Sequence, residues 1–178
     1  STGLRMALIP AGTFEMGCTD EMDVDGDCSW YESPVHEVTI TRDFLVGITE
    51  VTQDQWETVM GTNPSAATDC GPDCPVETIS WTEAIEFVNE LSALDGLDPA
   101  YSGDSEISWD RTANGYRLLT EAEWEFAARA DDGTTYAGSD VAAEVAWYND
   151  TADSSTQPVA GLLPNGNGLY DMSGNVWE

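Results

Sequence analysis

The chain has 178 residues, with 34 Asp or Glu against 5 Arg and no Lys, for a formal net charge of −29. Its 41% hydrophobic content, including 7 Trp, suffices for a buried core and excludes a disordered chain despite the charge. Five scattered Arg cannot form a basic stripe, which excludes a nucleic-acid binder working by phosphate neutralisation and argues against docking on anionic lipid; no run of 18 apolar residues is present to span a membrane as a helix.

In chain order, Leu4 to Gly17 reads as extended, in two pieces around the Pro10-Ala11-Gly12 turn. The partial alternation from Val35 to Leu45 suits a strand. Three helices are then announced by capping boxes, Thr52-x-x-Gln55, Ser80-x-x-Glu83 and Thr120-x-x-Glu123. Their apolar stripes are Trp56, Val59 and Met60; Ala84, Val88, Leu91 and Leu94; and Trp124, Ala127 and Ala128, each expected to face a core. After Gly133 short apolar pieces such as Val141 to Tyr148 are punctuated by Asn, Gly, Asp, Ser and Pro, which predicts loops and short strands. The expected class is α+β with about three helices, short strands and high loop content. One domain over 1–178 is expected. A Trp at 177 would be hard to bury at a natural terminus, so the chain reads as a domain cut at its C-terminal side.

The four Cys form two local groups, Cys18 with Cys28 and Cys70 with Cys74. Three pairings are open to four Cys, and local pairing is the economical one. Disulfides imply an oxidising compartment, secreted or periplasmic. The rival readings are weaker: the spacing matches no common zinc module, and a catalytic thiol has no nearby His, since His36 is the sole His in the sequence.

Several carboxylate groupings invite a function. Most of the acids read as solvated surface, yet a subset could hold a divalent cation, with Ca²⁺ favoured by oxygen donors. Glu21 to Glu32 reads E-x-D-x-D-G-x5-E, one substitution from the EF-hand loop, but no helix pattern flanks it and Pro34 follows. A solvated acidic insertion is the favoured reading there. His36 reads as a hydrogen-bonded structural residue. Of the three acids at 121, 123 and 125, Glu123 belongs to the cap and the others are expected to pair with Arg117 or Arg129. Trp56, Trp81, Trp124, Trp147 and Trp177 are expected in the core.

The segments Ile9-Pro10-Ala11-Gly12-Thr13-Phe14, Glu50-Val51-Thr52, Tyr116-Arg117-Leu118-Leu119-Thr120-Glu121-Ala122-Glu123-Trp124-Glu125 and Gly168-Leu169-Tyr170-Asp171-Met172 with Gly174-Asn175-Val176-Trp177-Glu178 resemble, in order, the formylglycine-generating enzyme or sulfatase-modifying factor family. That resemblance implies a C-type-lectin-like fold with bound calcium. By residue match, calcium would be held by the side chains of Asp171 and Glu178 and the carbonyls of Gly174 and Val176. Founding members oxidise a cysteine of a secreted partner such as a sulfatase to formylglycine with copper, two cysteines and O₂. The copper pair would lie beyond the Gly174–Glu178 motif, so Cys18, Cys28, Cys70 and Cys74 inherit no catalytic role, and no catalytic residue is assigned. The alternative implied by other relatives is a non-catalytic, calcium-stabilised binding or structural domain. Leu119 stands where the family usually has Pro, with some loss of stiffness before the third helix.

Overall fold

The computed structural model describes residues 2–18, 32–153 and 155–178. The protein is α+β, with short elements joined by long irregular stretches. The Cα positions fall into two compact units: Ser1–Leu4 with Val51–Leu119 and Ser155–Pro158, and Arg5–Glu50 with Thr120–Ser154 and Val159–Glu178.

The first unit is built on α1 (Gln53–Met60) and α2 (Trp81–Leu94). Both begin as the capping boxes predict: Thr52 Oγ1 accepts from Gln55 N while Gln55 Oε1 accepts from Thr52 N, and Ser80 and Glu83 repeat the exchange. Two of the donors orphaned at each helix start are thereby satisfied. Trp56, Val76, Phe87, Val88 and Leu91 form the core, and the Trp56 and Phe87 rings stack with centroids 4.9 Å apart. The buried face of α2 is Ile85, Phe87, Val88, Leu91 and Ser92, rotated from the expected stripe. Leu94, the last residue of the helix, is 62% exposed. Cys70 and Cys74 form a disulfide in the loop after α1, as expected from the tight turn between them. Strands β5 (Tyr101–Ser102) and β6 (Ser108–Trp109) make a minimal antiparallel pair.

In the second unit, β1 (Met6–Ile9) does not fold back on β2 (Gly12–Met16). Each finds a separate partner: β1 pairs antiparallel with β4 (Phe44–Gly47), and β2 with β3 (His36–Ile40). The single strand expected from Val35 to Leu45 is therefore two, broken at Thr41-Arg42-Asp43. The break is held by Asp43, whose Oδ1 accepts from Ala11 N at 2.8 Å, so both chain segments turn at the same place. On the β1–β4 ribbon, Ile9 and Val46 face inward, and the opposed pair Leu8–Leu45 faces outward.

Helix α3 (Glu121–Arg129) lies on the β2–β3 ribbon, with Phe126 against Phe14 at 5.3 Å between ring centroids. Gly12 permits this approach, since a Cβ there would stand 2.8 Å from Phe126 Cζ. The third capping box is also formed, by Thr120 and Glu123. At the other end, Asn165 Nδ2 donates to the carbonyls of Ala127 and Ala128 at 2.9 and 3.0 Å, two of the acceptors a helix leaves open in its last turn. Asp132 then receives the N–H of Gly166 at 2.7 Å. Val141 to Tyr148, expected as loop or strand, contains the one-turn helix α4 (Ala142–Val145). No helix among the described residues is long and apolar enough to cross a membrane.

Two of the Trp expected in the core are not there. Trp81 is 59% exposed and Trp177 is fully exposed at 103%; Trp81 occupies the first position of α2, ahead of the helix's buried face. His36 is exposed and shares a 3.1 Å hydrogen bond between its Nδ1 and the carbonyl of Pro34, as a structural His. Glu125 pairs with Arg129 at 2.6 Å, and Arg129 also reaches the carbonyl of Gly17. Arg117 donates to the carbonyl of Leu118 and stands over the Trp109 ring.

Candidate carboxylate site

Gly168 to Glu178 runs as irregular backbone at the end of the second unit. Two of its non-glycine residues, Asp171 at φ 60° and Asn175 at φ 69°, adopt the left-handed conformation, which costs energy outside glycine and persists only where surroundings enforce it. The enforcing contacts are visible. Asn175 N donates to the carbonyl of Trp147 at 2.8 Å. A Cβ on Gly174 would fall 2.4 Å from the same carbonyl oxygen, so this close approach requires glycine.

The loop brings Asp171 and Glu178 into one electrostatic neighbourhood and adds Glu50, which follows β4. Asp171 is buried at 4% exposure; its Oδ2 accepts from Ala160 N at 2.7 Å, and its Oδ1 is buried with no hydrogen-bond partner. An orphaned, buried carboxylate oxygen is a costly acceptor and needs a donor or a cation. Glu178 keeps exposed surface as a residue but turns its side-chain carboxylate inward, onto Trp124 Nε1. Glu50 Oε2 accepts from Asn175 Nδ2 at 2.8 Å and Oε1 from Val176 N at 3.2 Å.

Burial raises the pKa of all three acids. For Glu50, burial followed by the charges of Asp171 and Glu178 pushes the carboxyl up to about 9, against the lowering pull of the Val176 and Asn175 donors. Asp171 is raised by burial and partly relieved by the Ala160 N–H. Glu178 is raised by burial, then lowered by the Trp124 bond and raised by Asp171. Three acids that desolvate and repel one another are the situation a hard dication relieves.

The expected set of Asp171, Gly174, Val176 and Glu178 thus lies in one loop, and its donor chemistry suits calcium: anionic and carbonyl oxygens, one of them unpartnered. Among the described residues no three His, Cys, Asp or Glu side chains already stand in metal-holding geometry; the expected set draws two of its four donors from peptide carbonyls. Sequence reasoning missed Glu50. Its signal was its place at the head of the Glu50-Val51-Thr52 segment, two residues before the cap of α1, which assigns it no partner 121 positions away. The EF-hand-like run from Glu21 and the partner expected for Cys18, Cys28, lie outside the described residues. Cys18 is itself disulfide-bonded, and no free cysteine occurs among the described residues. A thiolate pair for copper is not offered by these cysteines, so the copper chemistry does not fit the donors described.

Residues 2–178 match the sulfatase-modifying factor enzyme 1-like domain. The chaperone protein LppX of Paenibacillus barcinonensis is 40% identical over 76% of this chain and 61% of that protein. The formylglycine-generating enzyme of Mycobacterium tuberculosis is 29% identical over 96% of this chain and 71% of the enzyme. Among solved structures, Treponema denticola variable protein 1 superposes with a TM-score of 0.84 at 31% identity, covering 99% of this chain and 73% of that one. The chain therefore spans 61% to 73% of the length of these relatives.

Proposed function

The chain belongs to the sulfatase-modifying factor enzyme 1-like family, and from that membership we propose that it is a calcium-braced domain that presents a protein-binding surface in an oxidising, secreted or periplasmic setting. The observation that carries the reading is the Asp171 carboxylate, buried with one oxygen unpartnered in the loop that also holds Gly174, Val176 and Glu178. Calcium would supply charge neutralisation and would tie the loop's carbonyls to its two carboxylates. Asp171 and Glu178 would hold it by their side chains, Gly174 and Val176 by their carbonyls. The protein's own part is to desolvate the acids and to fix the left-handed turns that gather these donors. The disulfide Cys70–Cys74 and the similarity to a protein named a chaperone support a secreted, protein-binding role.

A second reading is favoured by the 29% identity to a formylglycine-generating enzyme across 96% of this chain: oxidation of a partner protein's cysteine, as in a sulfatase, by the intact protein. The disulfide-bonded cysteines described here would then serve stability, and the redox residues would have to come from elsewhere. Two measurements separate the readings. Thermal melts of the wild type with 1:1 to excess CaCl₂ and with EDTA should show a calcium-dependent rise in Tm that Asp171→Asn loses, by mass action on the folded state; identical melts in calcium and EDTA would refute the calcium site. Mass spectrometry of a cysteine peptide incubated with the intact protein, copper and O₂ should show no aldehyde product under the first reading and conversion under the second.

A further inference from the structure

Glu50 is buried at 9% exposure, and both of its carboxylate oxygens serve one dipeptide, Asn175–Val176. Its electrostatic neighbours include two further acids, Asp171 and Glu178. A carboxylate in that company opposes folding unless something offsets it, so its retention points to what it holds. Asn175 lies between the two residues expected to offer carbonyls, Gly174 and Val176. Its left-handed backbone is gripped on one side by the Trp147 carbonyl and on the other by Glu50, which takes its side-chain amide and the next peptide N–H. The dihedrals of Asn175 set how the carbonyls before and after it are turned, so the group that fixes Asn175 fixes the donor set. The unpartnered Oδ1 of Asp171 is the independent sign that a cation belongs there.

We propose that Glu50 is the positioning residue of the Asp171–Glu178 cation site: its carboxyl oxygens lock the Asn175–Val176 turn that orients the carbonyl donors. The inference rests on the calcium reading above, and it assigns Glu50 no bond to the metal. A glutamine at this position keeps the shape but has one acceptor oxygen instead of two. Either Asn175 Nδ2 or Val176 N then loses its acceptor.

The test is calcium titration calorimetry on the full chain at pH 7.5, comparing wild type, Glu50→Gln, Asp171→Asn and the exposed control Glu37→Gln. The expected result is a wild-type binding event that Asp171→Asn abolishes, that Glu50→Gln weakens at least tenfold and that Glu37→Gln leaves unchanged. Wild-type calcium affinity in Glu50→Gln, with binding lost in Asp171→Asn, overturns the positioning role and leaves the calcium reading standing. Unaltered binding in Asp171→Asn overturns the calcium reading, and the positioning role with it. A merely structural Glu50 would lower the Tm equally in calcium and in EDTA without moving the affinity. Should Glu50→Gln fail to fold, Asn175→Gly carries the test: it tolerates the left-handed backbone, keeps Glu50 and removes only the side-chain arm. A several-fold loss of affinity is then expected, and an unchanged affinity overturns the proposal.

Discussion

At Glu50 the second unit places a carboxylate where water cannot solvate it and where two other acids repel it, and this has a pH signature. Its folded-state pKa, pushed up to about 9, lies above the ordinary value of 4.5. A raised acid binds protons more tightly in the folded state. Its contribution to stability is therefore complete below pH 4.5 and is lost as pH rises toward 9. Asp171 and Glu178 shift in the same direction. Glu77, Glu83 and Asp110 shift downward and lose their contributions only at acid pH. In EDTA, Tm should thus fall between pH 5 and pH 9, and calcium should flatten or reverse the slope; a flat metal-free profile over this window contradicts the buried triad. Gly174 gives a second test at this scale. A methyl group there meets the Trp147 carbonyl at 2.4 Å, an overlap the turn cannot absorb without breaking the Asn175–Trp147 bond. Gly174→Ala should cost about 2 kcal/mol in urea unfolding, against near-neutrality for an alanine at the exposed Ser155.

At the scale of elements, the three capping boxes were fully legible, because a cap is a contact between residues three apart and needs no tertiary partner. Thr120→Ala should remove one of these exchanges and destabilise the protein by about 1 kcal/mol, read by denaturant melts, with Thr120→Ser near wild type. Strand pairing was less legible. The Pro10-Ala11-Gly12 turn was legible, but the separate partners of β1 and β2 were not, because the contact at the turn, Ala11 N to Asp43, spans 32 residues of sequence. The rotated face of α2 was also missed: Ser92, fully buried, bonds to the Val88 carbonyl and receives Tyr116 N, so a polar residue belongs to the buried face, which a search for an apolar stripe passes over. Of the carboxylate site, Asp171 and Glu178 were legible because they share one motif. Glu50 was not, because 121 positions separate it from Asp171 and its meaning lies in Asn175 and Val176. On β2–β3, Glu15 and Glu37 stand directly opposite, a like-charge pair that no local pattern would favour.

For the molecule as a whole, 34 acids against 5 Arg mean that each folded unit forms against net like-charge repulsion. Glu125 and Arg129 pair within a single helix, and among the described residues most of the acids meet solvent. Screening shortens the reach of that repulsion to about 8 Å at physiological ionic strength. Raising NaCl from 20 to 500 mM in EDTA should therefore increase Tm by several degrees, and a Tm that falls with salt would show that attraction, not repulsion, dominates the surface. A cation at the proposed site would draw on the same charge: the field that destabilises the metal-free fold would gather the ion.

The clasp at the end of α3 has a bearing on the protein's chemical lifetime. Asn165-Gly166 and Asn167-Gly168 are asparagine–glycine pairs, the sequence in which the following backbone nitrogen most readily attacks the side-chain amide and expels ammonia. Folding engages both attacking nitrogens, Gly166 N on Asp132 and Gly168 N on the Asn165 carbonyl. Each opening of the loop releases them. An aspartate formed at 165 could not reclose it, because a carboxylate would face the Ala127 and Ala128 carbonyls that the amide now caps. Ageing at this one pair would accumulate molecules whose third helix has permanently lost its clasp.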